Sequence, residues 1–552
     1  MDTPERRAPR RKPQKKTNVL QHVVQNVQAF VQKLKTMNKR QLWGWIFLAA
    51  FAVLFLTEIV AVVSVMRLDM LPGILEALII LFFLVYDCLV AYFMFLRGRK
   101  VNKRNAKRIA RKRRIIACVL AVVMICGSSV ISTVAGDVYK TLQSVQVSEE
   151  PEDAKVTRSV FVRTHDGAQT LEDAKDYEYG IVVHFDDENT QQAVTAIETQ
   201  LGGTVKTVGF SSVFEMADSL LNGTLDAMIL NSGYLSILEG DGRYSNFSSL
   251  TRVLADVEIE GNGEELDGEG LLLNAEVDIA ENGKLKPFVV YISGSDSRVN
   301  SMHNNRSDVN ILVVVHPENR QILLVNTPRD YYVPSNQQEG AMEKLSHAGI
   351  FGVESSIGSL EELYDTNVDY YVQASFGGVE GLVDAVGGVT VYSDEEFVLY
   401  EEVGTIYEGE NFLNGELALA YARTRKGVEG GDLGRGNHQM EIIEAIVNKA
   451  TSGTTIINNY SAIMESVDGL FVMNIPQQLI SALIKEQLAD MSGWNITMFS
   501  TYGTGDYGEV YSAQGYSVYV IYPDEAAVQK ASKLIDMVLE GQTLTEDIVN
   551  AA

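Results

Sequence analysis

Along the first quarter of the chain, apolar residues run in long blocks rather than alternating with polar ones. Gly44–Met66, Leu71–Leu96 and Ile115–Gly136 each approach the roughly 20 residues needed to cross a hydrocarbon core, so three N-terminal transmembrane helices are expected. Beyond them the pattern turns globular. Gly180–His184, Gly203–Val208 and Ala227–Leu230 have the short β-branched or apolar character of strands. Thr190–Leu201 and Ser212–Leu221 have helical spacing, and together these segments predict a small α/β accessory domain over 156–286. Its last part, 241–286, is rich in Gly, Asp, Glu and Asn and reads as surface loops and edge strands.

A second and larger α/β (α+β) domain is expected over 287–552, with a mixed central sheet flanked by helices. Pro287–Ile292 opens it as a strand. Val309–Val315 and Gln321–Val325 follow as a hairpin turned at Pro317–Arg320. Strands are then expected at Asp369–Gln373, Val389–Val391, Trp494–Phe499 and Ser517–Tyr522. Helices are expected at Gly377–Val386, Asn414–Ala422, Arg435–Ala450, Pro476–Met491 and Asp524–Leu539.

Charge sharpens this division. The chain has 552 residues and a formal net charge of -26, yet residues 1–114 hold 23 Lys and Arg against 6 Asp and Glu, leaving 23 against 66 for the rest. The basic segment 1–43 and the basic loop 97–114 flank the apolar runs, whereas Arg67–Met70 is short and almost neutral. By the positive-inside rule, 1–43 and 97–114 are cytoplasmic, and everything after the span region 44–136, beginning with the acidic linker 137–155, is extracytoplasmic. A multi-pass protein of a cell membrane is the expected localisation, with the lipid bilayer as a partner. The basic loop is better explained by topology and anionic lipid than by nucleic acid. A cleavable signal peptide does not fit three successive apolar runs. The cysteines Cys88, Cys118 and Cys126 all fall in those runs, so the outer domains hold no thiol and no disulfide. Glu58, Glu76 and Asp87 also lie there, without an assigned role.

The hairpin concentrates charge at one edge of the sheet. Asp296 leaves a strand end, Arg306 and Asp308 precede the first hairpin strand, and Arg329 and Asp330 follow the second, so these residues converge if the strand before Asp296 runs antiparallel to the next. Carboxylates with an arginine at such an edge suit a phosphate held through a hard divalent cation, Mg²⁺ or Mn²⁺. A surface ion-pair cluster is the competing explanation, and the clustering argues against it. A second group lies in Tyr421–Gln439, where Arg423, Arg425 and Arg435 occur in an otherwise acidic body. Arg435 and Gln439 are four apart on a helix, hence on one face, and the helix N-terminus itself favours an anion. Lys344 and His347 read by themselves as ordinary helix surface. No Walker loop, nucleophile elbow, HExxH or cysteine nucleophile is present.

Six ordered motifs carry a family resemblance: GSDSR at Gly294–Arg298, RSD at Arg306–Asp308, TPRD at Thr327–Asp330, KLSHA at Lys344–Ala348, VDAVGGVTV at Val383–Val391, and LNGELALAYARTR through GDLGRGNHQ at Leu413–Gln439. They resemble the LytR-CpsA-Psr (LCP) family of cell-wall glycopolymer ligases. The resemblance implies transfer of a glycan phosphate, such as teichoic acid or capsular polysaccharide, from a polyprenyl-pyrophosphate donor in a hydrophobic tunnel to peptidoglycan. In that case Asp296 and Asp308 hold Mg²⁺, and Arg306, Arg329, Arg423, Arg425, Arg435 and Gln439 clamp the phosphates. Asp296, Asp308 and Arg329 become the catalytic candidates, with Asp308 or Asp296 taking the acceptor proton and Arg298, Asp330, Lys344 and His347 as further members. Two departures stand out: KLSHA replaces a KINHA-like segment, and His438 stands where the family usually has Arg, implying a weakened or pH-sensitive ligand contact. The alternatives are a non-enzymatic polyprenyl-phosphate sensor or attenuator, and a pyrophosphate hydrolase.

Overall fold

The structure is a computed structural model describing residues 38–95, 103–145, 155–260, 284–295 and 306–550, apart from 184–186, 241, 339 and most of 453–469. Its contacts divide into two compact units, the N-terminal helices and the body that follows them.

The first unit consists of α1 (Lys39–Met66), α2 (Gly73–Phe95) and most of α3 (Lys103–Val145). Within these helices Leu42–Met66, Gly73–Phe95 and Arg111–Lys140 are long and apolar enough to cross a membrane. Much of the segment expected to be a basic loop is instead helix from Lys103 onward, because Lys, Arg and Ala are good helix formers and nothing breaks the run before Ile115. Most apolar side chains face outward, while Glu58 and Asp87 are buried inside the bundle and Ser64 hydrogen-bonds Ser132 across it at 3.1 Å.

The body begins with β1 (Lys155–Arg163), β2 (Glu178–Val182), α4 (Asp187–Leu201), β3 (Lys206–Phe210), α5 (Val213–Asn222), β4 (Ala227–Leu230) and β5 (Thr251–Glu260). The strands form one sheet in the order β3-β2-β4-β1-β5, with β5 as an edge strand along β1. Ser212 caps α5 by accepting from the Phe214 amide, and Gly223 ends it in the left-handed region at φ 83°.

The second sheet uses β6 (Phe288–Ser295), β7 (Val309–His316) and β8 (Gln321–Asn326), then, after the short pair β9 (Tyr332–Pro334) and β10 (Met342–Lys344), β11 (Tyr370–Ser375). Next come β12 (Val389–Ser393) and β13 (Gly409–Leu413), which pair only with each other, and β14 (Phe471–Met473) and β15 (Asn495–Ser500). Strand order is β14-β11-β6-β7-β8-β15, antiparallel through β6-β7-β8 and parallel at β6-β11 and β8-β15. The expected strands at Val389–Val391 and Ser517–Tyr522 therefore lie outside the main sheet. The latter belongs to a ribbon formed by β16 (Gly503–Glu509) and β17 (Ser517–Pro523).

Period-two alternation splits the main sheet into two unlike faces. Val289, Tyr291, Leu312, Val314, Leu323 and Val325 are sealed beneath α6 (Val353–Tyr364) and a late helix, Glu525–Leu539. The opposite residues meet α9 (Asp432–Thr451) and α10 (Gln477–Ala489), which follow α7 (Phe376–Ala385) and α8 (Gly415–Arg423). Ile292, Val309, Val313, Val372, Ile443, Val447, Leu483 and Met498 on this side are only partly buried.

The two sheets of the body are not separate cores. Phe161, Met216, Phe214 and Tyr244 from the part of the chain that builds the first sheet are packed in one buried cluster with Ile350, Val510, Ala513 and Val520, which come from the connections and the ribbon around the second.

Candidate functional site

The β6-β7 pairing is antiparallel, and the Asp308 amide donates to Gly294 O at 2.8 Å, so Asp308 sits beside the end of β6. A Cβ at Gly294 would fall 2.7 Å from Val309 Cγ2, which explains glycine at this close approach. Asp296 and Arg298 lie outside the described residues.

Backbone hydrogen bonds knit the remaining motifs together. Ser307 N donates to Ser346 O at 3.1 Å, Ser346 N to Arg329 O at 2.8 Å, and Leu345 N to Tyr331 O at 2.9 Å. Beneath Asp308 a buried polar network of Tyr291, Ser293, Ser307 and Asn310 holds the loop, with Ser307 Oγ to Asn310 Oδ1 at 2.6 Å and Tyr291 Oη to Ser307 Oγ at 2.9 Å. The sequence motifs did not include Tyr291 or Asn310, whose polar atoms matter only because both side chains are buried side by side.

On this base the charges converge. Arg329 Nη1 lies 2.5 Å from Asp308 Oδ1, and Arg306 Nη2 lies 3.6 Å from the same oxygen. Arg329 Nε is 3.5 Å from Asp330 Oδ1, which also takes Lys344 Nζ at 2.9 Å. From α9, Arg435 Nη2 reaches Asp432 at 2.7 Å. Asp308, Arg329, Asp432, Arg435 and Gln439 line one small cleft with Asn326 and Gly436.

Four cations, Arg306, Arg329, Lys344 and Arg435, thus stand against three carboxylates, Asp308, Asp330 and Asp432. The excess is felt electrostatically. Burial pushes the Arg306 and Arg435 guanidiniums down; Asp308 opposes this at Arg306 and Asp432, then Asp308, at Arg435, while Arg329 lowers both, Arg435 lowers Arg306 and Arg425 lowers Arg435. Burial opposes the charge of Asp330 too, but Lys344, then Arg329, overcome it and hold that carboxyl low. Arg435 Nε is buried without a hydrogen-bond partner among the described residues. An incompletely neutralised set of buried guanidiniums is a site for a polyanion.

Helix α9 starts three residues before the expected Arg435, which places Asp432 as well as Arg435 in its first turn and keeps Arg435 and Gln439 on one face. Gly436 brings it against β8: a Cβ there would lie 2.7 Å from Asn326 Cγ. Arg423, expected as a phosphate ligand, instead lies over the Tyr400 and Phe376 rings at 4.3 and 4.8 Å, and Arg425 is solvent-exposed. Gln439 turns its amide to Ala422 O at 3.2 Å.

Lys344 and His347 do not sit on a helix surface. Both are largely buried, and His347 Nδ1 lies 3.3 Å from Glu343 Oε1 and 3.2 Å from Ser512 Oγ. Burial pushes the Glu343 carboxyl up to about 7 and holds the imidazole well below its usual range, where nearby Lys344, Arg306 and Arg329 also oppose its protonation. His438 is also unlike its expectation. It points away from the cleft into a stack between Tyr421, at 4.2 Å, and Phe397, at 5.2 Å, and burial drives its pKa down to about 4, so it stays neutral near pH 7. His438 is not among the residues that line the cleft of Asp308, Arg329, Arg435 and Gln439.

Among the described residues no group of three or more His, Cys, Asp or Glu could hold a metal. Both ion pairs of Asp308, with Arg329 and with Arg306, are made at Oδ1.

A sequence profile of the LytR_cpsA_psr family matches residues 262–533. The polyisoprenyl-teichoic acid--peptidoglycan teichoic acid transferase TagU of Halalkalibacterium halodurans is 36% identical over 183 residues, 33% of this chain and 59% of that protein. The protein of the same name in Bacillus cereus is 30% identical over 246 residues, 44% of this chain and 77% of that protein. A crystal structure of B. subtilis TagV aligns at 27% identity and a TM-score of 0.40, covering 47% of this chain and 99% of that one. The chain thus spans 59% of the length of the first relative and 77% of the second. With the profile match and the identity across most of the Bacillus cereus protein, this chain belongs to the LytR_cpsA_psr family.

Proposed function

We propose that this protein transfers a glycan phosphate from a polyprenyl-pyrophosphate donor to a peptidoglycan hydroxyl, at the outer face of the membrane its N-terminal helices cross. The observation that carries this reading is the union of two surfaces on the same elements. Arg435 and Gln439 open α9, which continues as Met440, Ile443 and Val447 along the partly buried face of the sheet. Likewise Asp308 is followed on β7 by Val309, Ile311 and Val313 on that face. A buried cationic head beside an apolar sheet face whose side chains are in part left uncovered suits a ligand with a diphosphate and a hydrocarbon tail.

Asp308 and Asp296 are the carboxylates that would hold Mg²⁺, which would supply neutralisation of phosphate charge. The chain's own part is positioning and electrostatic stabilisation. Arg306, Arg329 and Arg435 bind the phosphate oxygens, and the buried network under Ser307 keeps their frame rigid. The acceptor oxygen forms its bond to the phosphorus carrying the glycan. The bridging P–O bond breaks, the polyprenyl phosphate departs with the electron pair, and Asp308 or Asp296 takes the acceptor proton. Relatives whose names state teichoic acid transfer to peptidoglycan support this reaction class. The basic flanks of the helices support an outward-facing body.

The test is transfer by the purified full chain in detergent, with Mg²⁺, from a lipid-linked glycan to peptidoglycan. Wall-linked product is expected from wild type and none from Asp308→Ala. A free glycan phosphate as sole product would point to hydrolysis, and a folded, lipid-binding wild type that transfers nothing would remove the proposal.

A further inference from the structure

The ribbon β16-β17 turns an unusual surface to solvent. Register pairs Tyr507 with Tyr519 on one face and Thr504 with Tyr522 on the other. The second face is the inner one, where Val520 is fully buried and Tyr522 packs against Tyr332 at 5.0 Å. On the outer face Tyr507 is 67% and Tyr519 45% exposed, although tyrosine here covers no core.

The two rings are held in a defined geometry. A Cβ at Gly505 would lie 2.9 Å from both Cε2 and Cζ of Tyr519, so this glycine lets the ring lie along the ribbon with one face on the backbone and the other to solvent. Tyr507 stands beside it, with ring centroids 6.2 Å apart at 80°. The result is a flat aromatic floor with a wall. An aromatic face presents electron density to the slightly positive C–H groups that line one side of a pyranose ring, and burying it also removes apolar surface from water.

This corner is continuous with the cationic site. Tyr519 O accepts from Lys344 Nζ at 3.1 Å, Lys344 pairs with Asp330, and Ile521 N donates to Asp330 O at 2.7 Å. Asp330 in turn neighbours Arg329 Nε at 3.5 Å.

Charge decides which sugar polymer fits. The ribbon carries Asp506 and Glu509 and no Lys, Arg or His of its own, and Lys344, which donates to Tyr519 O, is already paired with Asp330. A polymer with a phosphate on every unit would be repelled there, whereas an uncharged glycan would not. We infer that Tyr507 and Tyr519 form a saccharide subsite that stacks the uncharged pyranose rings of a glycan strand, the acceptor under the function proposed above, on which this inference rests.

The test measures binding to the full chain in detergent, by titration calorimetry with chitotetraose as the neutral glycan probe, polyglycerol phosphate as the charged one, and inorganic pyrophosphate as the phosphate probe. Wild type is expected to bind chitotetraose and to show no Tyr519-dependent binding of polyglycerol phosphate. Tyr519→Ala and Tyr507→Ala should each weaken chitotetraose tenfold or more, Tyr519→Trp should retain it, and pyrophosphate affinity should be unchanged in all three. Chitotetraose binding that is absent in wild type, or equal in wild type and Tyr519→Ala, overturns the subsite, as would polyglycerol phosphate lost on Tyr519→Ala. Arg329→Ala separates the two readings: if it leaves pyrophosphate binding intact, the phosphate site fails whatever the tyrosines do.

Discussion

Arg329 illustrates how much a single side chain carries here. It contacts Asp308 through Nη1 and Asp330 through Nε, so its planar fork bridges two of the three carboxylates while keeping Nη2 for a phosphate. Lysine offers one point charge and no fork. Arg329→Lys should therefore lose about a hundredfold or more in kcat/KM, with little change in melting temperature. Steady-state transfer kinetics alongside a thermal melt would check this, and a tenfold or smaller loss would show that charge alone suffices. Glu343 gives a residue-scale prediction of a different kind. Its carboxyl rises to about 7 in the folded state from a usual value near 4.5. A raised acid contributes stability that is fully present below the unfolded pKa and is lost as pH climbs through the folded one. Wild type should thus lose this contribution between about pH 4.5 and 7, while Glu343→Gln, which cannot ionise, should not. The expected result is equal melting near pH 4.5 and a variant that melts above wild type at pH 8. A gap that does not widen with pH would refute the assignment. Legibility at this scale was uneven. Arg306, Asp308, Arg329 and Asp330 stood out as charged motifs bracketing a hairpin. Lys344 and His347 did not, because their burial depends on Ser512 and Tyr519, which lie far along the chain.

Elements set the distances between these residues. The closest approach of α9 to β8 falls at Gly436 and Asn326, and the Asn326 side chain is itself tied to Ser500 Oγ at 3.2 Å. Any side chain at 436 must push the helix out or displace Asn326, and either moves Arg435 from Arg329. Gly436→Ala should cost about 1–3 kcal/mol of stability through overpacking and reduce transfer at least tenfold in the protein that still folds. Thermal melts and rate measurements on the same sample would separate the two effects, and normal activity would mean that this packing does not position Arg435. The same helix shows what sequence patterning could not settle. Its apolar period and the Arg435–Gln439 spacing were readable. Its start at Asp432 was not, because Gly431 at φ 58° ends the preceding loop through a backbone conformation rather than a capping side chain. Strands β12 and β13 were legible as strands but not as a separate pair, since pairing partners are chosen by register and packing across the fold.

At the scale of the whole body, the buried cluster of Phe214, Met216, Tyr244, Val510, Ala513 and Val520 joins the helix-covered side of the first sheet to the ribbon of the second domain. Truncating a buried phenylalanine costs about 3–5 kcal/mol. If the cluster is one core, Phe214→Ala should lower a single melting transition of the body and disturb the ribbon that carries Val520. Calorimetry on the full chain in detergent would decide this, because two transitions with only one displaced would mean independent domains. The sequence by itself determined the three apolar helices, the alternation of strands and helices, and the hairpin that returns Arg329 to Asp308. These follow from periodicity and turn chemistry acting over a few residues. Only the tertiary structure decided that His438 is a stacked core residue, that Arg423 rests on Tyr400 and Phe376, that Lys344 joins the cluster, and that several apolar side chains on one face of the main sheet are only partly covered. Each depends on which distant side chains fill the neighbouring space, and burial, not local pattern, then fixes their charge.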